Sequence, residues 1–309
     1  MELRRLGLFS NRLIYFQAVA ERGSIRRAAL ELNVAPSSIS RSISDLETEL
    51  GALLFERVGR RLRLSSAGEM LLHHARLSQR QLSSGFAFIK DLQGLKRGEV
   101  KIAVIESVMR NLMLQELDRF WRDQPGIRVE SFVSGSQDAF DGVADGAFDL
   151  AIAFDTPVPV KARKIAGAFL NLGILLPPEH PLAHRKGLRL RDLQGENLLM
   201  ANASLTLGQV LNQAFSKMGF DLRIRAVSNS IDTLLRLTEM GHGITLQTRL
   251  GAETEISSGR LYFVPLMEPE LKPRELVMIC RSEQQLPHGP SALAQQLSAR
   301  FESIDEGKA

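Results

Sequence analysis

The sequence predicts an α/β protein with a small helical head, one long helix and two α/β lobes. Three observations carry that expectation. Three short helical patterns and a charged strand fill the first 65 residues. Apolar residues then recur in steps of four and three from Ser66 to about Leu95, a stretch without proline. From Glu99 onward the period changes, and strand patterns alternate with helical ones, which gives doubly wound and largely parallel sheets.

The head begins with a helix from about Arg12 to Glu21, with Leu13, Phe16 and Val19 or Ala20 facing inward. Gly23 ends it, and Ser24 can cap the next helix, Ile25–Leu32, through its hydroxyl. Ala28 and Ala29 are small enough for close helix crossing. After the turn Asn33-Val34-Ala35, Pro36 suits a first helical position, where its missing N–H costs nothing. Ile39, Ile43, Leu46 and Leu50 then share one helical face, and Gly51 terminates the helix. Helix, helix, three-residue turn, helix is the helix-turn-helix pattern.

The opposite face of the third helix carries Ser37, Ser38, Arg41 and Ser42. Serine is a mediocre helix former, so helicity does not explain this face. Small hydroxyls allow close approach to another surface, and arginine reads a guanine edge or holds a phosphate. A solvated face of odd composition is the alternative reading of this helix alone. The flank favours recognition: Arg61 to Leu64 alternates charged and apolar as a half-buried strand does, which suggests a wing carrying Arg57, Arg60, Arg61 and Arg63 toward a phosphate backbone.

Taken together, Ala28-Ala29, Leu46-Glu47-Thr48-Glu49-Leu50-Gly51, Leu54-Phe55-Glu56-Arg57 and Leu64-Ser65-Ser66-Ala67-Gly68 resemble, in order and spacing, the DNA-binding segment of the LysR-type transcriptional regulators. Ala35-Pro36-Ser37 departs from that family's usual Ser-Gln-Pro, so the usual capping serine and base-contacting glutamine are absent; Ser65 replaces the usual threonine and keeps the hydroxyl. The resemblance implies double-stranded DNA as a partner. Its contacts would be Ser24, Pro36, Ser37, Ser38, Arg41 and Ser42 in the helices, with Arg57, Arg60, Arg61 and Arg63 in the wing.

Composition agrees with a nucleic-acid head on a different kind of body. Of the 309 residues, the first 98 carry 16 Lys+Arg against 9 Asp+Glu, and the remainder carries 23 against 26. The single cysteine, Cys280, excludes an internal disulfide and a two-cysteine redox switch within one chain. It lies in the apolar run Leu276-Val277-Met278-Ile279-Cys280, which reads as a buried strand. No apolar run approaches the ~20 residues that cross a bilayer. Arg4-Arg5 and Ala18-Val19-Ala20 mimic an export signal, but Asn11, Arg12 and Gln17 interrupt any apolar core, so the expectation is a cytoplasmic protein.

Along the long helix, Leu71, Ala75, Ser78, Leu82, Phe86, Ile89 and Leu92 or Gln93 make a seam of about three heptads. A narrow apolar stripe wants a partner helix, in a second copy or in its own chain. The resemblance makes it the dimerising linker. His73 and His74 on this helix are read as solvent-facing rather than as metal ligands.

Beyond the break at Gly94–Gly98, strands are expected at Glu99 to Ile105, Arg128 to Val133 and Asp149 to Phe154, with helices at Val108 to Asp123 and Asp138 to Asp145. A second lobe repeats the theme, and the chain then returns to the first lobe with the Cys280 strand and a helix near Ser291 to Ile304. The expected domains are a head over 1–65, a linker over 66–97, lobe 1 over 98–160 and 265–309, and lobe 2 over 161–264. Two lobes joined by two crossovers resemble the periplasmic-binding-protein-like effector domain of the LysR-type family.

In open α/β sheets, ligands bind beyond the carboxyl ends of strands, at helix starts. Glu106-Ser107, Gly135-Ser136 and Asn202-Ala203-Ser204 all occupy such positions. Any one serine there is more often only a cap, but the recurrence and the resemblance point to a shared cleft for a small anionic effector. Gly243 and Ile244, in Gly241-His242-Gly243-Ile244-Thr245, match the family's turn beside that cleft, and the family's usual proline further on is Thr248 here. His180 and His184 have helical spacing, but Pro177, Pro178 and Pro181 argue for a loop and against a metal site. No phosphate loop, nucleophile elbow or paired-cysteine motif occurs. The expected function is therefore an effector-controlled regulator that is no enzyme, takes no cofactor, and partners DNA, RNA polymerase and its own copies as homodimer or homotetramer. An α/β enzyme would need a catalytic constellation, and a solute-binding transport protein would need export and no basic head.

Overall fold

The computed structural model describes residues 8–58, 61–92, 98–154, 156–216, 222–282 and 285–305. The chain forms two compact units, divided between Gln93 and Gly94.

The first unit holds α1 (Asn11–Arg22), α2 (Ile25–Leu32), α3 (Pro36–Leu50), the hairpin β1 (Phe55–Val58) and β2 (Arg61–Leu64), and α4 (Ser66–Leu92). Ser24 caps α2 as expected, its hydroxyl accepting from the Arg27 N–H. Gly23 and Gly51 end α1 and α3 in the left-handed conformation. Asn33 takes the same conformation in the helix-turn-helix turn, at φ 53°, which a short polar side chain tolerates. Ala28, Ala29, Ile39 and Ile43 are buried together with Val19, while Leu46 is half-buried and Leu50, at the end of the stripe, is exposed.

The long helix departs from a seam that waits entirely for a partner. Ala75 is buried on Phe9, with Leu13, Ile14 and Phe86 packed around it, and Leu72 is buried with Phe16 and Leu54. Leu72, Ala75 and Phe86 therefore pack on the chain's own head, whereas Leu82 and Ile89 are exposed.

The second unit contains two five-stranded sheets. Lobe 1 holds β3 (Gly98–Val104), β4 (Ile127–Val133), β5 (Leu150–Phe154), β6 (Ala162–Leu170) and β12 (Arg274–Arg281), in the order β4-β3-β5-β12-β6. Lobe 2 holds β7 (Leu172–Leu176), β8 (Asn197–Ala201), β9 (Arg223–Ser228), β10 (Ile244–Thr248) and β11 (Tyr262–Pro265), in the order β11-β7-β10-β8-β9. Each sheet is mixed rather than largely parallel. In lobe 1, β3 pairs in parallel with β4 and β5, whereas β12 runs antiparallel to both β5 and β6. In lobe 2, β10 is parallel to β8 but antiparallel to β7.

The lobe boundary also differs from the sequence expectation. β6 pairs along its whole length with β12, so residues 161–170 belong to lobe 1 and the crossover falls at Asn171 rather than after residue 160. Neither β6 nor β11 was legible as a strand; β6 reads Ala162-Arg163-Lys164-Ile165-Ala166-Gly167-Ala168, with too little alternation to show.

Strand β3 illustrates how one segment feeds two cores. Val100, Ile102 and Val104 enter a core with Phe120, Leu297 and Phe301, and Ala103 enters the opposite one with Phe140 and Val143. The helical run after β3 is Glu106–Val108 (α5), a π-turn Met109–Met113, and α6 (Leu114–Asp123), where a single helix from Val108 to Asp123 was expected. The remaining helices are α7 (Ser136–Ala144), α8 (Thr206–Phe215), α9 (Ile231–Glu239), α10 (Glu253–Ser257) and α11 (His288–Ile304). Cys280 is fully buried in β12, and burial pushes its thiol above the usual range. Among the described residues, no helix is long and apolar enough to cross a membrane, and no His, Cys, Asp and Glu cluster could hold a metal ion.

Candidate functional site

Two surfaces concentrate the chemistry. In the head, Pro36, Ser37, Ser38 and Arg41 are exposed along one side of α3, Ser42 is half-buried, and Ile39 and Ile43 point away into the core. No ion pair holds Arg41 among the described residues, unlike Arg22, which is bound to Glu31 at 2.7 Å. Ser24 is half-buried and spent on its cap. The hairpin places Arg57 and Arg61 in its strands and exposes Arg63; Arg60 lies outside the described residues.

The motifs around this surface turn out to be structural fasteners. Glu47 Oε1 accepts from the Leu54 and Phe55 N–H groups at 2.8 and 3.3 Å, tying α3 to the hairpin. Ser65 Oγ donates to the Leu53 carbonyl and accepts from the Gly68 N–H, so the hydroxyl shared with threonine is what that position needs. A Cβ at Gly68 would sit 2.1 Å from the Leu54 carbonyl oxygen, so only glycine fits.

In the second unit, one cavity of about 360 Å³ opens between the lobes. Lobe 1 contributes Glu106, Ser107, Gly135 and Ser136, and lobe 2 contributes Ser204 and Thr206. The three serines at strand ends thus share one wall system, although they are far apart in sequence. Ser136 accepts from Thr206 Oγ1 at 3.0 Å across the cleft. Both α7 and α8 begin at the cavity wall, and neither has a side-chain cap from its N-cap residue.

Three sequence-assigned residues do not reach it. Gly243 and Ile244 lie away from the cavity lining: Ile244 is buried in the lobe 2 core, and a Cβ on Gly243 would meet the Asn197 carbonyl oxygen at 2.4 Å. Their role is packing beneath β8. Asn202 shapes the turn instead, its Oδ1 accepting from the Ser204 N–H at 2.8 Å. Glu106 lines the cavity, but its carboxylate is already engaged. It accepts from Ser230 Oγ at 3.0 Å and from the N–H groups of Ile231 and Asp232 at 2.8 and 3.1 Å, capping α9 from the other lobe.

Thr248, noted beside the cleft turn, lines the cavity, as do four residues without a strand-end signal in the sequence: Phe154, Asn229, Gln247 and Arg274. Arg274 is buried, with its guanidinium carbon 5.5 Å from the centre of the Phe154 ring. It begins β12, and β12 is antiparallel to β5, so its amino end lies beside the carboxyl end of β5. A rule that looks only at carboxyl ends passes over it.

The family model for the LysR substrate binding domain matches residues 93–302, and that for the bacterial regulatory helix-turn-helix protein of the lysR family matches residues 10–69. The chain belongs to the LysR family. Among curated LysR relatives, a probable nitrogen assimilation transcriptional activator from Synechococcus elongatus is 28% identical over 87% of this chain and 88% of its own. The transcriptional dual regulator GltC of Bacillus subtilis is 30% identical over 80% of each chain. Among solved structures, full-length CbnR complexed with its target DNA covers 94% of this chain and 98% of that one, at 21% identity and a TM-score of 0.66. A full-length OxyR variant from Pseudomonas aeruginosa covers 93% of each, at 19% identity and a TM-score of 0.70. These structures share the LysR fold. The LysR assignment makes the chain a transcriptional regulator with an effector-binding domain, and the family comprises regulators rather than enzymes.

Proposed function

We propose that the head binds operator DNA through α3 and the hairpin, and that the interlobe cavity takes a small organic anion as effector. One observation carries the effector reading: a single cavity gathers Ser107, Ser136 and Ser204 with the buried guanidinium of Arg274. A carboxylate there would meet hydroxyls, the N–H groups at the starts of α7 and α8, and a fixed cation. Two carboxylates also line the cavity: α9 amides already match the charge of Glu106, and Asp138 stands in the first turn of α7. On this reading residues 1–65 form the head and α4 links it to a second copy, in a homodimer or homotetramer. The protein works in the cytoplasm and acts on transcription through RNA polymerase. An effector that prefers one degree of lobe closure shifts that equilibrium, and with it the fit of the paired heads to DNA.

The test has two arms on the full chain. Gel shifts with promoter fragments flanking its own gene should give a salt-sensitive specific complex. Thermal shifts with small carboxylic acids should find stabilising ones, and Ser107→Ala should weaken them about 2- to 10-fold. No promoter complex would remove the head assignment, and no stabilising acid would remove the anionic effector.

A further inference from the structure

Thr248 ends β10 at φ −76° and brings two polar groups to the cavity, its N–H and its hydroxyl. The N–H is used, donating to Gln247 Oε1 at 3.1 Å. The hydroxyl is not: Thr248 is 2% exposed, lines the cavity, and its Oγ1 is buried without a hydrogen-bond partner. The opposite lobe repeats the situation. Ser134 lines the same cavity, and its Oγ is also buried without a partner. Buried hydroxyls left unmatched cost folding free energy, and native proteins keep few of them.

We propose that Thr248 and Ser134 form a polar subsite for a hydroxyl or keto oxygen of the effector, so that the ligand is a hydroxy- or oxo-carboxylic acid rather than a plain one. This rests on the anionic-effector reading above and extends it. A hydroxyl both donates and accepts, so a Thr–Ser pair serves a neutral oxygen of either kind. The Arg274 guanidinium, the only cation lining the cavity among the described residues, matches the carboxylate. A cavity of about 360 Å³ suits a small acid. Lobe 1 supplies Ser134 and lobe 2 supplies Thr248, so an oxygen held by both links ligand identity to lobe closure.

Calorimetric titration of the full chain with matched acids tests this: propanoate against lactate, succinate against malate, phenylacetate against mandelate. At least one hydroxy acid should bind about 3- to 10-fold tighter than its plain partner. Thr248→Val should erase that ratio, and Thr248→Ser should restore it. Without any acid, Thr248→Val should melt no lower than the parent, because it removes only an unmatched hydroxyl, so a lost ratio is not lost folding. Equal affinity within every pair, or a preference that survives Thr248→Val, overturns the proposal; the two hydroxyls then serve the carboxylate itself or nothing. Acids that bind without discrimination defeat this subsite alone, whereas no binding by any acid defeats it together with the effector reading.

Discussion

The carboxylate of Glu106, just after β3 in lobe 1, accepts the backbone N–H of Ile231 in lobe 2 at 2.8 Å. Ser230 Oγ and the Asp232 N–H complete the cap. Close by, Arg110 of the π-turn bonds Asp232 and Glu255, the latter at 2.5 Å, so a second lobe 1 side chain grips the same stretch of lobe 2. Glu106→Ala should therefore loosen the lobes as well as the helix start. Amide exchange over 231–233 should accelerate, and stability should fall by about 1–3 kcal/mol. Unchanged exchange at those amides would mean the latch contributes nothing.

On the proposed DNA interface, Arg41 is the base reader and Arg63 the phosphate contact, and their variants should differ accordingly. Arg41→Ala should weaken specific operator binding by about 1–3 kcal/mol and relax sequence preference. Arg63→Ala should weaken specific and non-specific binding alike and flatten the salt slope. Fluorescence anisotropy across a salt series distinguishes the two. Operator binding by both variants at parental strength would refute the interface.

Leu82 is exposed on α4, outside the face that Ala75 and Phe86 turn to the head. Leu82→Asp should separate the copies, since it sets a charge in an apolar seam. Sedimentation reads the mass directly. A variant that keeps the parental mass and full operator affinity would move the contact elsewhere.

Asp149 offers a pH test. Burial pushes its carboxyl above the usual aspartate range, opposed by the Lys101 N–H, which donates to it at 2.8 Å, and by the Lys101 charge. The folded state therefore holds this proton more tightly than the unfolded chain. That favourable contribution is complete below the unfolded pKa and is lost as pH rises through the raised folded value. Asp149→Asn keeps an acceptor for the N–H without the charge. It should be at least as stable as the parent at pH 7, with the difference shrinking toward pH 4. Urea unfolding at the two pH values checks this, and a variant that is less stable at pH 7 than at pH 4, relative to the parent, would show the sign to be wrong.

The sequence by itself determined the head, the long helix and the strand ends. Ser24, Pro36 and Gly51 act on their immediate neighbours, and the spacing of Ile39 and Ile43 is a property of one helix, so local rules suffice. The same holds for Ser107, Ser136 and Ser204, each placed by the strand just before it, and the cavity brings them together. Only the tertiary structure decided what depends on pairing between distant segments. β6 is a strand because β12 lies beside it, Arg274 reaches the cavity because β12 runs antiparallel, and the Thr248 hydroxyl is buried without a partner only in the folded domain. Glu106 marks the division most sharply. Its position at a strand end is local, but its bonds run to Ser230, Ile231 and Asp232, and nothing in the intervening sequence states that the second lobe will deliver that helix start to it.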